Sequence, residues 1–495
     1  MIRRSLLACC LFCLLPALAS ANGTIRVGAK RFTEGYILGE LFAQLIETNT
    51  AYRVERRFNL GGTKICVEAI TNGAIDLYPE YTGTIQEEIL HSPTPLAPAA
   101  INAQLVAALQ LTIGPSLGFN NTYTLAVRAD TAAAGVTTIS ALGARPELRY
   151  GLSHEFLERR DGWQAVAAAY GLHPPAVRGL DHGLAYEALR NGDVDVIDAY
   201  STDAKIARYQ LAILDDDHHF FPEYLAVPLW RTATVSRYPE LTPLFAQLRD
   251  RIDAPAMRAL NAAAEIDQRP IPAIVREFLI AQHLVGAAAA PSSSARPLYR
   301  LFAEHLLITS IAVAASLLLG IPLGILLTRC PRAARPALAL LGLLQTIPSI
   351  ALLAFMIPLL GIGALPAITA LLLYGLLPIV RNTYTGLQSV SPMLREVADA
   401  IGLTAWQRLR VVELPLATPM LLAGIKTAAV IAIGTATLAA FIGAGGLGEP
   451  IVTGLALNHT GMILRGAIPS ALLAIATEYG FILIERCCIP RGLRH

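Results

Sequence analysis

No Asp, Glu, Lys or Arg occurs between residues 337 and 380. That is about twice the ~20 residues a helix needs to cross a bilayer, so this part of the chain is predicted to fold in lipid. Apolar stretches at 305–327, 337–360, 364–380, 418–442 and 466–485 predict about five transmembrane helices, an all-α polytopic part. Arg329, Arg332 and Arg335, then Arg381 with Arg395, Arg408 and Arg410, then Arg486, Arg491 and Arg494 share one side if the first span enters from outside. The connections 361–366 and 443–461 carry no Lys or Arg, and Arg465 is the exception to the pattern. This bias predicts a multi-pass inner-membrane protein in contact with lipid, with residues 22–300 outside and the C-terminus in the cytoplasm. Within the spans, Gln345, Lys426 and Glu478 are candidates for a pathway; Lys426 can instead snorkel, and Glu478 can face a neighbouring helix.

The rest of the chain has a different character. Charged residues run throughout 24–286, although the whole is 54% hydrophobic and only 15% charged. The change falls in an Ala/Ser/Pro-rich stretch, which predicts a linker at 286–299 between an exported part at 22–285 and a membrane part at 300–495. Met1-Ile2-Arg3-Arg4, the apolar run to Leu18 and Ala19-Ser20-Ala21 predict a signal peptide over 1–21. Of seven cysteines only Cys66 lies in the exported part, so no disulfide can form within it. A net charge of +2 with no basic patch argues against a nucleic-acid partner.

Segments such as TIRVGAK, AIDLYPEY, YTLAVR, LRYGLS, DVDVIDAY and LAVPLW read as strands, separated by helical runs at 37–47, 162–170 and 183–191. That alternation predicts α/β lobes with largely parallel sheets, and the length allows two. Ligand sites in such sheets lie at the carboxyl ends of strands, where Lys30, Tyr78, Tyr81 and Tyr200 occur. Tyrosines there suggest a quaternary ammonium, which cannot donate a hydrogen bond and is held by aromatic faces.

A charged island at 390–417, VSPMLREVADAIGLTAWQRLRVVELPLA, interrupts the apolar half. Ser391-Pro392 starts one short helix and Gly402 ends it in a left-handed turn; Thr404 and Gln407 form a capping box for a second, predicted to stop at Pro415. A compact helix-turn-helix between two spans is a docking surface.

That island resembles the cytoplasmic coupling loop of ABC importer permeases, in Glu396-Val397-Ala398, Gly402 and Leu414-Pro415. LQTIPSIALLAFMIPLLGIG, YGLLPIVRNTYTGL and IGTATLAAFIGAGGLG are similar to the branch for glycine betaine, choline and related osmoprotectants. In that family the loop sits in a groove of a separate ATPase subunit, so Glu396, Ala398, Gly402, Leu414 and Pro415 become the expected coupling residues. No P-loop occurs on this chain, since Gly61-Gly62-Thr63-Lys64 lacks the spacing. The chain is therefore not expected to be an enzyme.

KRFTEGYILGELFAQLIE, NLGGTKICVEAITNGAIDLYPEYTGT, GFNNTYTLAVR and DAYSTDAKI resemble periplasmic binding proteins for glycine betaine, proline betaine, carnitine and choline, a two-lobed α/β fold. The resemblance implies a cage of Tyr81, Tyr123, Tyr200 and Tyr224, with Tyr78 as the rival of Tyr81. It also implies a carboxylate grip by Lys30, Thr84 and Arg159, with Arg160 adjoining. A cationic head in the cage and an anionic tail on Lys30 and Arg159 describe a zwitterion such as glycine betaine; choline would leave two cations partly unpaired. Choline, carnitine or ergothioneine remain alternatives, as does a membrane-tethered ligand sensor. A permease homodimer is expected. No cofactor, metal site or catalytic residue is expected: Asp215 to His219 reads as a solvated loop, and Ser153-His154-Glu155 are merely adjacent in sequence.

Overall fold

The computed structural model describes residues 23–92, 96–286, 296–457 and 459–488. The signal peptide expected at 1–21 and most of the linker expected at 286–299 lie outside these residues.

The first half consists of two lobes, each on a five-stranded sheet. In the first sheet Arg53–Leu60, Thr24–Lys30 and Leu77–Tyr81 are parallel, Ala226–Arg231 runs antiparallel, and Leu111–Ile113 closes the edge. The second repeats this pattern: Val177–Leu180, Tyr150–Ser153 and Val196–Tyr200 are parallel, Tyr123–Arg128 is antiparallel, and Leu211–Ile213 is the edge. The antiparallel strands are those that follow the two crossovers between lobes, at 114–122 and 214–225. The chain enters each sheet there from the hinge side, so its direction is reversed. Helix Thr33–Asn49 is buried along nearly all its length against the first sheet and the returning helices Ala254–Glu265 and Ile271–Ala281.

In the second half, four helices are long and apolar enough to cross a membrane: Leu298–Arg329, Ala364–Gln388, Ala405–Ala436 and Thr460–Cys487. The stretch expected as one span at 337–360 is instead two helices, Pro331–Thr346 and Ser349–Leu360, bent by 97°. Pro348 is the cause. It cannot donate to a helix, and it holds Ile347 before it in extended backbone, ψ 126°. Helices Leu298–Arg329, Ala364–Gln388 and Leu414–Ala436 pack closely through small residues. A Cβ at Gly375 would lie 2.6 Å from the Ser316 hydroxyl, so only glycine permits this approach.

The lobes rest on the membrane half through the first lobe. Asn59 accepts from Tyr36, at 2.5 Å, and from Thr453, at 3.0 Å. Tyr36 packs on Leu457, and the Arg31 guanidinium stands 4.7 Å above the Phe441 ring.

In the island, Pro392–Ala400 is helical, Gly402 has φ +84°, and the Thr404–Gln407 capping box is formed. The expected stop at Pro415 does not occur. A π-helical turn at Leu409–Glu413 widens the helix just before the proline, whose ring and missing N–H are thereby accommodated, and the helix continues to Ala436. Arg395 and Arg408 both bind Glu413 at 3.3 Å, and Arg408 also binds Asp399 at 2.5 Å, pinning the two island helices together. Ala398 is buried in this junction, while Met393, Val397, Ile401 and Trp406 are exposed. The membrane polar groups are internally paired: Lys426 lies 3.4 Å from Glu478 and 3.6 Å from Glu485, and Gln345 donates to the Tyr374 carbonyl at 2.9 Å.

Candidate ligand site

Strand register assembles the site. Tyr123 and Tyr200 are direct cross-strand partners at the hinge end of the second sheet, and Tyr81 sits opposite Ala226 at the hinge end of the first. Tyr224 lies on the second crossover. Lys30 ends its strand, and Arg159 follows the helix His154–Glu158, whose N-terminus is capped by Ser153. All seven sequence-derived residues, Lys30, Tyr81, Thr84, Tyr123, Arg159, Tyr200 and Tyr224, line one cavity between the lobes. Phe32, Asn121 and Glu155 complete its wall.

The tyrosines form a tight aromatic set. The Tyr123 ring centre is 4.9 Å from that of Tyr200 and 5.7 Å from that of Tyr224, and Phe32 lies 6.4 Å from Tyr81 and 6.0 Å from Tyr200. Burial pushes all four cage phenols well above their ordinary range, so they remain neutral and present polarisable faces. Free space in the cage is about 20 Å³, room for about one water. The lobes are closed on each other.

Both rivals fall away from the cavity. Tyr78 is fully buried behind the sheet and donates to Glu80 at 3.0 Å; Arg160 is exposed, its backbone amide held by Glu88.

The charges differ from the expectation of two cations awaiting a carboxylate. Lys30 is ion-paired to buried Glu80 at 2.7 Å, and Arg159 grips Asp161 through two bonds of 2.7 and 2.6 Å. Tyr224 donates to the same Asp161. A cation this deeply buried is stable only with such a partner, because desolvation of the lone charge is costly. One face of Arg159 remains for a ligand: its Nη1 reaches Thr84 Oγ1 at 3.5 Å and Glu155 at 4.0 Å. Sequence reading missed Glu80, Asp161, Phe32, Asn121 and Glu155. The first two were signalled by adjacency, in PEYTGT and ERRDG.

A further residue outside the expected set ties the two lobes together. Glu34, on helix Thr33–Asn49, accepts from Tyr81 at 2.6 Å, Asn121 at 2.9 Å, Thr202 at 2.7 Å and Asn261 at 3.0 Å. These donors come from both lobes and the crossover between them. Burial pushes the Glu34 carboxyl up to about 7, against the lowering effect of the bonds from Tyr81, Thr202 and Asn261.

Among the described residues no group of three or more His, Cys, Asp or Glu is placed to hold a metal ion. Asp216, in the loop after Leu211–Ile213, accepts from Tyr170 and from two backbone amides and serves that turn.

The family described as the substrate-binding domain of ABC-type glycine betaine transport systems matches residues 23–281. The chain belongs to it. Residues 320–485 match the inner membrane component of binding-protein-dependent transport systems. The permease half is 48% identical over 191 residues to the glycine betaine/carnitine/choline transport system permease protein OpuCB of Bacillus subtilis, covering 39% of this chain and 88% of that protein. It is 46% identical over 196 residues to the osmoprotectant import permease protein OsmW of Salmonella typhimurium, covering 39% of this chain and 91% of that one. A solved structure of a glycine betaine/carnitine/choline ABC transporter is 29% identical, covering 52% of this chain and 99% of its own, with a TM-score of 0.46. The chain thus joins the binding protein and the permease of an osmoprotectant ABC importer on one polypeptide. It is an inner-membrane transporter subunit, not an enzyme, and in these systems ATP hydrolysis belongs to a separate subunit.

Proposed function

We propose that this chain binds glycine betaine or proline betaine between its exported lobes and passes it through its own permease half. Tyr81, Tyr123, Tyr200 and Tyr224 hold the quaternary ammonium, and Thr84, Lys30 and the free face of Arg159 take the carboxylate. The supporting observation is the convergence of all seven side chains, from both lobes and one crossover, on a single enclosed cavity. The exported part spans 22–285, a linker 286–299 and the permease 300–495. Two chains form the pore through apolar faces such as that of Thr460–Cys487, in whose most apolar window no residue is fully buried in the single chain. The partner ATPase docks on 390–417. Calorimetric titration of the purified chain with glycine betaine, proline betaine, choline and carnitine tests the reading. Binding of none of them, or binding unaffected by Tyr123→Ala, overturns it.

A second reading, choline as ligand, is favoured by one observation. Glu80 and Asp161 already neutralise Lys30 and Arg159, so a ligand without a carboxylate strands no bare cation, and Glu155 adds a negative charge to the wall. The relatives include a choline transport system permease protein, OpuBB of Bacillus subtilis, 47% identical over 197 residues.

A further inference from the structure

A second cavity, of about 280 Å³, lies beside the cage and opens toward the permease half. It approaches the ~300 Å³ lower end of small-molecule sites. Its walls come from three places: Glu34 and Glu265 from the first lobe, Tyr200 and Lys205 from the second, and Phe441 and Leu455 from the permease. Tyr200 is the partition. Its side chain lines both cavities, its ring centre 4.9 Å from that of Tyr123 and 4.6 Å from that of His182.

The cavity carries charge that its own residues do not fully pair. Asp203 is matched by His182 at 3.0 Å. Glu34 and Glu265 have only hydroxyl and amide donors, from Thr33, Tyr81, Asn121, Thr202 and Asn261, and neither is ion-paired among the described residues. Lys205, itself buried, donates to the Gly183 carbonyl at 3.3 Å and lies 5.5 Å over the Tyr186 ring, with no carboxylate on it. Among the described residues Glu34 and Glu265 form no ion pair, and neither do the two cations of the wall, Lys205 and Arg31, although Lys205 is near enough to lower the Glu265 carboxyl against its burial. Phe32, Tyr200 and Phe441 also line the cavity, the last with Arg31 4.7 Å over its ring.

We propose that this cavity is a second, weaker site for a zwitterion bearing a quaternary ammonium and a carboxylate, occupied as ligand passes from the cage to the permease. The head lies against Glu34 and Glu265 and the aromatic faces, and the tail meets Lys205. The inference rests on the betaine reading of the cage, which supplies the ligand. A site whose third wall is the permease exists only when the lobes are docked, so it links release to docking.

Equilibrium dialysis of labelled glycine betaine against the full chain in lipid nanodiscs tests this. Two classes of site are expected, and Glu265→Gln and Phe441→Leu should each weaken the second class by about tenfold while leaving the first unchanged. Glu265→Gln keeps the side-chain volume and Phe441→Leu keeps an apolar side chain, and far-ultraviolet dichroism checks folding. Choline, without a carboxylate, should fill the second class less well. A single class in the unmodified chain, or a second class indifferent to both substitutions, overturns the proposal and leaves the cage intact. Loss of the first class alone in Tyr123→Ala supports two separate sites; no binding at all by the unmodified chain overturns the cage reading and this one together.

Discussion

The guanidinium of Arg159 stands 5.0 Å from the centre of the Tyr123 ring, with Tyr224 at 5.9 Å. A cation of the protein's own therefore covers one face of the aromatic cage, and it is anchored there by Asp161. A ligand head must reach the four cage tyrosines around the arginine or displace it, and Phe32 offers a further face. With free space for only about one water, it must enter through an opened form.

Arg159→Ala separates the two ligand classes. For a betaine it removes a charge-assisted bond to the carboxylate and should weaken binding by about 1.5–3 kcal/mol. For choline it removes a competing cation, and affinity should stay level or rise. Calorimetry with both ligands decides; equal losses would make the arginine purely a partner of Asp161.

Tyr200→Ala should weaken binding by about 1–2 kcal/mol through loss of a desolvated aromatic face. Tyr200→Phe keeps the face and loses only the 3.2 Å hydroxyl contact to Tyr123, so its affinity should stay within a few tenths of a kcal/mol. If the phenylalanine variant were as weak as the alanine one, the hydroxyl rather than the ring would be the binding element.

Glu34 gives the closed form a pH dependence. Its carboxyl is raised to about 7 by burial, so the closed lobes hold a proton that the unfolded chain releases near the model-compound value of 4.5. Stability from this group is therefore greatest at low pH and is lost as pH rises from about 4.5 to about 7, by at most ~1.4 kcal/mol per unit. His182, which Asp203 and Asp198 hold up to about 10 against its burial, adds a slope of the same sign from about 6.5 upward, so the Glu34 share is read from the difference between the unmodified chain and Glu34→Gln. Urea unfolding of the full chain between pH 5 and 7 should show a steeper fall of stability with pH than Glu34→Gln shows. Parallel curves would mean that Glu34 stays ionised when the lobes close.

How far the sequence revealed this site can be seen in single residues. Tyr200 was legible because it stands at the carboxyl end of a strand, a local property, whereas Tyr123, which begins its strand, was reached only through the resemblance. Glu80 and Asp161 were not, although each adjoins a recognised motif. Whether a buried lysine or arginine carries an internal counter-ion depends on burial, which only the packed lobes determine. Phe32 and Glu34 sit in the quoted KRFTEG stretch, yet their roles depend on the second lobe closing over them. In the membrane half the apolar runs were plain, but the 97° bend at Pro348 and the π-turn before Pro415 were not. A proline marks a possible break; whether the helix bends or widens is decided by what packs around it.

The last prediction separates coupling from binding. Gly402 ends the first island helix at φ +84°, and a side chain there would be strained even though nothing lies within 4 Å of its Cβ position. The strain would fall on the junction where Arg408 joins Asp399 to Glu413, the contact that sets the angle between the island helices. Gly402→Asp adds both the strained conformation and a third carboxylate beside Asp399. Uptake of glycine betaine into proteoliposomes with the partner ATPase should be abolished, because the exposed ridge of Met393, Val397 and Ile401 would no longer be presented in its docking geometry. Ligand affinity should not change, since the ~30 Å hydrocarbon layer separates the island from the lobes. Gly402→Asn, which tolerates a left-handed backbone and adds no charge, should retain partial uptake. Unimpaired uptake by the aspartate variant would remove the island from coupling, and a parallel loss of ligand binding would mark a folding defect instead.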